Sequence, residues 1–137
     1  METNIFKDFM IGDWVAYGNH IVRIVKIGKN SARIDFEGNE SGPWELSYDN
    51  PPRPIPLTPE ILLKNGFKGR KASYYIEAEG RLIRVILDGI HAGISVCDAD
   101  EIRRYNRCSL FETPTVHRLQ HALRLCGLGE LADNFKV

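Results

Sequence analysis

Hydrophobic and polar positions in the first third of the chain alternate in short runs broken by turn residues. The runs cover 13–17 (DWVAY), 20–27 (HIVRIVKI) and 32–36 (ARIDF), separated by Gly18-Asn19 and Gly28-Lys29-Asn30. Period-two runs of this length, bounded by glycine and asparagine, predict strands joined as a meander. The two-residue Gly-Asn link predicts a tight hairpin, because a primed turn needs a positive φ that glycine adopts at little cost. Within 20–27 the alternation is imperfect: Ile21, Arg23, Val25 and Ile27 share one face and Val22, Ile24 and Lys26 the other, so both faces are largely apolar. Such a strand suits a small curled barrel better than an open sheet. A further run at 43–48 (PWELSY) brings the count to that of an SH3-like barrel.

The pattern stops at 49–57 (DNPPRPIPL), where Pro51, Pro52, Pro54 and Pro56 fix φ and remove donors, as in a stiff connector. A short helix follows, with Thr58 as N-cap, Pro59 at the first helical position, Glu60 in the first turn and Gly66 just past the end. Phe67 is placed to pack back on Leu62 or Leu63. Runs 72–79 (ASYYIEAE) and 81–89 (RLIRVILDG) flank Gly80 as a second hairpin, 93–98 (GISVCD) reads as a third strand, and one more strand runs through Cys108 to Phe111. Thr113-Pro114 then predicts the start of a last helix, which reaches Cys126 and closes on Gly127, with a terminal turn GELADNF beyond it. At about 100° per residue, Val116, Leu119, Ala122, Leu123 and Cys126 gather on its core side, while His117, Gln120, His121 and Arg124 fall opposite and point away from the core. The predicted fold class is α+β: an N-terminal SH3-like small β-barrel (1–50), a proline-rich connector (51–57), and a unit of helix, antiparallel strands and C-terminal helix (58–137).

A chain of 137 residues fits one compact domain or two very small ones, and it can build a core without metals or disulfides. Lys plus Arg and Asp plus Glu stand at 18 each, which argues against a surface built wholesale to neutralise nucleic-acid phosphates; nucleic acid is therefore not the favoured partner. The neutral total hides two poles. Residues 35–49 carry five acids and no base, and residues 101–126 carry Arg103, Arg104, Arg107, Arg118 and Arg124 against Glu101 and Glu112. That separation suits a local anionic ligand or a charged partner. Three cysteines without a CxxC pair, an N-terminus lacking a signal pattern, and no apolar run near the ~20 residues of a bilayer span predict a reduced, cytoplasmic protein without membrane attachment.

The stretch TVHRLQHALRLCG (115–127) places His117 and His121 one turn apart, with Cys126 beyond. A zinc site needs a third and usually a fourth ligand. Cys126 faces the other way, and Arg118 between the histidines repels a dication, so no metal is expected. Ser95, Cys97 and Cys108 lie near strands without a nucleophile elbow. Asp88 and His91 offer an acid–base pair, but a turn histidine is the commoner reading. Neither GxxxxGK[ST] nor GxGxxG occurs, and no cofactor is expected. Trp14, Tyr17 and Trp44 could line an aromatic groove, with core packing the better reading for Trp14. The candidate ligand-binding set is Arg103, Arg104, Tyr105 and Arg107 with His117, His121 and Arg124, since arginine forks suit phosphates and tyrosine can stack on a base.

Three stretches, IGDWVAYGNHIVRIVKI (11–27), PIPLTPEILLKNGF (54–67) and VHRLQHALRLCGL (116–128), together resemble small proteins of uncharacterised function from phages and prophages of Bacteroides-type bacteria. The resemblance implies a phage or mobile-element setting inside a bacterial host. It implies no activity, cofactor or catalytic residue. The chain departs from the commoner Tyr-Val-His-Gln opening of the last helix by having Thr115 and Arg118. The expected function is a non-enzymatic accessory binding protein that antagonises host defence, either by sequestering a small anionic, nucleotide-like ligand or by binding a host protein. The alternatives are a nucleic-acid-associated SH3-like accessory protein and an enzyme with an unfamiliar site around Asp88, His91, His117 and His121.

Overall fold

The computed structural model describes residues 9–27, 33–37, 44–45, 52–88, 92–98 and 114–137. The architecture is α+β, with antiparallel sheets, and the chain divides into two compact units, Met1–Ile55 and Pro56–Val137. The division falls within the proline-rich stretch.

In the first unit, β1 (Trp14–Tyr17), β2 (His20–Ile27), β3 (Arg33–Phe36) and β4 (Trp44–Glu45) form a sheet in the order β1-β2-β3-β4. Gly18 supplies the positive φ, 59°, of the two-residue turn between Tyr17 and His20. Val15 and Ile24 are fully buried with Phe9, and Tyr17, Val22 and Ile27 pack against them. The imperfect alternation of β2 has a local cause. Ile24 opposes Phe36 but Lys26 opposes Asp35, so β2 carries one extra residue there, a β-bulge. The bulge resets the phase, and Ile27 joins Val22 and Ile24 on the core side instead of sharing a face with Ile21 and Val25.

The closed barrel expected from the sequence is not formed: among the described residues nothing pairs β1 with β4, and the sheet stays open. Among the described residues, the outer edge of β1 is met by one backbone bridge, where Ala16 N–H donates to Arg53 O (2.9 Å) and Arg53 N–H donates to Ala16 O (2.8 Å). Arg53 lies between Pro52 and Pro54, which have no N–H, so the segment cannot extend the ladder past a single bridge.

In the second unit, α1 (Pro59–Lys64) begins as its sequence dictates, with Thr58 Oγ1 accepting from Ile61 N–H at 3.2 Å and Pro59 in the first turn. It ends at Gly66, φ 88°, where Phe67 N–H reaches Leu62 O (3.0 Å) and Gly66 N–H reaches Leu63 O (3.2 Å). Leu62 and Phe67, brought together by that closure, are both buried. The antiparallel sheet that follows runs β5 (Lys68–Arg70), β6 (Ser73–Ala78), β7 (Arg81–Ile86) and β8 (Gly93–Asp98), in that order. Tyr74, Ile83, Val85, Ile94 and Val96 are buried on one face.

The last helix, α2 (Val116–Leu125), starts later than the Thr113-Pro114 pair predicts. Pro114 gives its carbonyl to Leu57 N–H at 3.0 Å and Thr115 bridges to Pro56, so the proline belongs to a strand-like contact rather than to the first helical turn. Gly127, φ 81°, closes α2, with Leu128 N–H on Leu123 O at 2.8 Å and Gly127 N–H on Arg124 O at 3.1 Å. A single-turn helix, α3 (Gly129–Asp133), packs against α2. Thr113 and the strand expected through Cys108 to Phe111 lie outside the described residues.

Candidate functional site

Helix α2 carries the histidines that stood out in the sequence, and its packing differs from the two-faced helix expected. Val116, Leu119, Ala122 and Leu123 are buried as the periodicity requires, but so are His117 (2% exposed) and Gln120 (0%). The helix is covered on a second side. Gln120 Nε2 donates to Ala132 O at 3.1 Å, so α3 occupies the flank that a one-face reading leaves to solvent. His117 Nδ1 stands 3.3 Å from Thr115 Oγ1, and its ring meets that of His121 edge-on, with centroids 5.5 Å apart. The expectation that both histidines point away from the core is therefore wrong for His117, while His121 is half-buried.

Arg124, one turn further, has Nη2 3.9 Å from Asp133 Oδ1 of α3. Thus His117 and His121 come together, Arg124 is drawn towards an acid, and Arg103, Arg104, Tyr105 and Arg107 lie outside the described residues. Among the described residues, no three His, Cys, Asp or Glu side chains gather as a metal site. Asp88 is exposed, and Ser95 and Cys126 are half-buried. His91, Cys108 and the side chain of Cys97 are outside the described set.

A different surface presents itself on the first unit. Val15 and Tyr17 face the core, so Trp14 and Ala16 face the other way, as do Ile21, Arg23 and Val25 across the hairpin. Trp14 opposes Arg23, whose guanidinium lies 6.0 Å from the ring centroid. The alternation places Trp14 and Tyr17 on opposite faces of β1, with Trp14 half-buried; the side chain of Trp44 is not described. On this outer face Ile21 is 56% exposed and Val25 44%.

The turn leading into β1 adds to the apolar display. Asp13 N–H closes it on Met10 O (3.1 Å), Gly12 takes φ 95° at the third position, and the buried Asp13 carboxylate accepts from Met10 N–H at 2.8 Å. Gly12 N–H to Ile24 O (2.7 Å) and Ile24 N–H to Asp13 O (2.9 Å) tie the turn to β2 just before Val25. So fixed, it leaves Met10 46% and Ile11 60% exposed.

The signal for these residues lies in the strand 20–27, apolar on both faces: its second face carries the exposed Ile21 and Val25 and does not reflect barrel curvature. Among the described residues, no helix is long and apolar enough to cross a membrane. No protein-family model, curated protein or solved structure matches the chain.

Proposed function

We propose that the protein is a non-enzymatic accessory binding protein of a phage or mobile element, and that it acts by holding a host protein on the outer face of its N-terminal hairpin. The observation that carries this reading is the set of four large apolar side chains, Met10, Ile11, Ile21 and Val25, left exposed on one small unit that also carries the Trp14–Arg23 pair. Isolated exposed apolar residues are ordinary, but several on one scaffold, with tryptophan, methionine and arginine among them, have the composition of a protein interface. The unit is read as an SH3-like meander, with Arg53 on the outer edge of β1 as the fifth segment, in support of a recognition module. The small-anion branch has less support, because His117 is sealed from solvent and Arg124 already faces Asp133.

Covering a half-exposed isoleucine or valine is worth about 1 kcal/mol each. Replacing Ile21 and Val25 by glutamate removes both contributions and adds the desolvation of two charges, so affinity should fall at least ~30-fold. The test is enrichment from extracts of Bacteroides-type cells, comparing wild type with Ile21→Glu/Val25→Glu. One host protein retained by wild type and lost with the variant, at unchanged thermal unfolding, supports the reading; equal retention by both chains overturns it.

A further inference from the structure

A second surface, on the other unit, has no part in the reading above. In antiparallel pairs, residues directly opposite each other project to the same face. The register places Lys68 of β5 opposite Tyr75 of β6, Tyr75 opposite Arg84 of β7, and Arg84 opposite Ser95 of β8, which makes one row across the sheet. The adjacent row runs Arg70, Ser73, Ile86 and Gly93. This is the face turned away from the buried Tyr74, Ile83 and Val85. Lys68, Arg70, Ser73 and Arg84 are all exposed, and Tyr75 is 42% exposed between its two cationic neighbours.

Strands stand about 4.8 Å apart, so Lys68 and Arg84 flank the tyrosine ring at roughly one strand spacing on each side. Leu82, also on this face, is buried and marks where the open area ends, with Glu77 beside it as the acid of that end. Around the open edge, the segment 64–71 holds Lys64, Lys68, Arg70 and Lys71 and no acid.

Charges on an edge strand have a structural use, because they discourage pairing with another chain. That accounts for Lys68 and Arg70 on β5. It does not account for Arg84, which sits on an inner strand, nor for the exposed aromatic between them. We infer that this face binds single-stranded nucleic acid, with a base stacked on Tyr75 and phosphates held by Lys68, Arg70 and Arg84. Each part of the ligand finds a matching group: a base offers a π-face to the ring, and a flexible backbone can set phosphates against cations on both sides of it. A duplex keeps its bases stacked internally and offers the ring nothing.

The test uses the full chain and fluorescein-labelled decathymidylate, followed by anisotropy. With three phosphates neutralised, log K should fall with log salt at a slope of about −2, or roughly 20-fold between 50 and 200 mM salt. Tyr75→Ala should weaken binding about tenfold with the slope unchanged, and Tyr75→Phe should restore it, since stacking needs the ring and not the hydroxyl. Lys68→Gln and Arg84→Gln should each weaken binding and also flatten the slope by about 0.7. All three positions are exposed, so thermal unfolding should stay within a degree or two of wild type. Absence of binding at 20 mM salt, equal affinity of wild type and Tyr75→Ala, or tighter binding of a duplex or of polyglutamate would each overturn the inference; the last two would identify a polyelectrolyte surface instead. A protein partner lost through Ile21→Glu/Val25→Glu leaves this result untouched, so the two readings fail separately.

Discussion

Gly69, at the centre of β5, takes φ 146°, and a Cβ built on it would stand 2.1 Å from Ser73 O, 2.8 Å from Tyr74 Cα and 3.0 Å from the Ser73 carbonyl carbon. All three atoms are backbone of β6, the strand paired with β5, so no rotamer change relieves the overlap. In Gly69→Ala the edge strand must swing away, giving up the pairing of Lys68, Gly69 and Arg70 with Tyr75, Tyr74 and Ser73. An L-residue at positive φ costs about 1–2 kcal/mol, and each lost ladder bond about 1 kcal/mol, while the stiffer unfolded chain returns about 0.5 kcal/mol. With two ladder bonds lost, the sum is about 2.5–3.5 kcal/mol. For a unit of this size that is a fall in melting temperature on the order of 10–20 °C. Gly80→Ala is the internal control: it also has positive φ, 77°, but nothing lies within 4 Å of its Cβ, so it should cost only about 1 kcal/mol. Thermal and urea unfolding of both variants decide the matter. A Gly69→Ala loss no larger than that of Gly80→Ala would refute the close approach of β5 to β6, and with it the cross-strand row built on β5.

Three further outcomes follow from single contacts. Thr58→Ala should lose about 1 kcal/mol in urea unfolding, because Thr58 Oγ1 satisfies Ile61 N–H at the start of α1. Gln120→Leu should cost about 1 kcal/mol and speed amide exchange in α3, since it removes the side-chain donor that ties α2 to the Ala132 carbonyl, which keeps its backbone donors Asn134 N–H and Phe135 N–H; unchanged exchange there would show that the amide does not fasten the two helices. Glu79→Asn should stabilise by about 0.5–1 kcal/mol, because Glu79 (φ 51°) and Gly80 (φ 77°) form a two-residue turn with both φ positive, which asparagine tolerates far better than glutamate.

Elements with local signatures were legible in the sequence. The Gly18-Asn19 hairpin, the capped helix from Thr58 to Gly66 and the turn at Gly80 each rest on residues whose backbone preference acts within a few positions. What depended on distant packing was not. The bulge in β2 is visible only against β3, and without it Ile27 falls on the wrong face. β5 has three exposed residues and no alternation, so nothing in its sequence separates it from a loop. Gln120 and His117 read as solvent-facing because a helical wheel assumes one covered side, while α3 and the segment before α2 cover a second. Among the described residues the sheet does not close, and prolines on both sides of Arg53 limit the bridge to β1 at that point to a single pair.

The central claim is that the outer face of the β1–β2 hairpin holds a host protein. The most direct measurement places a photoreactive amino acid at position 21, with a second variant carrying it at Leu125, an apolar side chain of the other unit that is 78% exposed. Both are irradiated in Bacteroides-type cells. The account predicts one discrete cross-linked product of a host protein from position 21 and none from position 125. A product from position 125 alone, or a product from position 21 consisting of two copies of this chain, would contradict it.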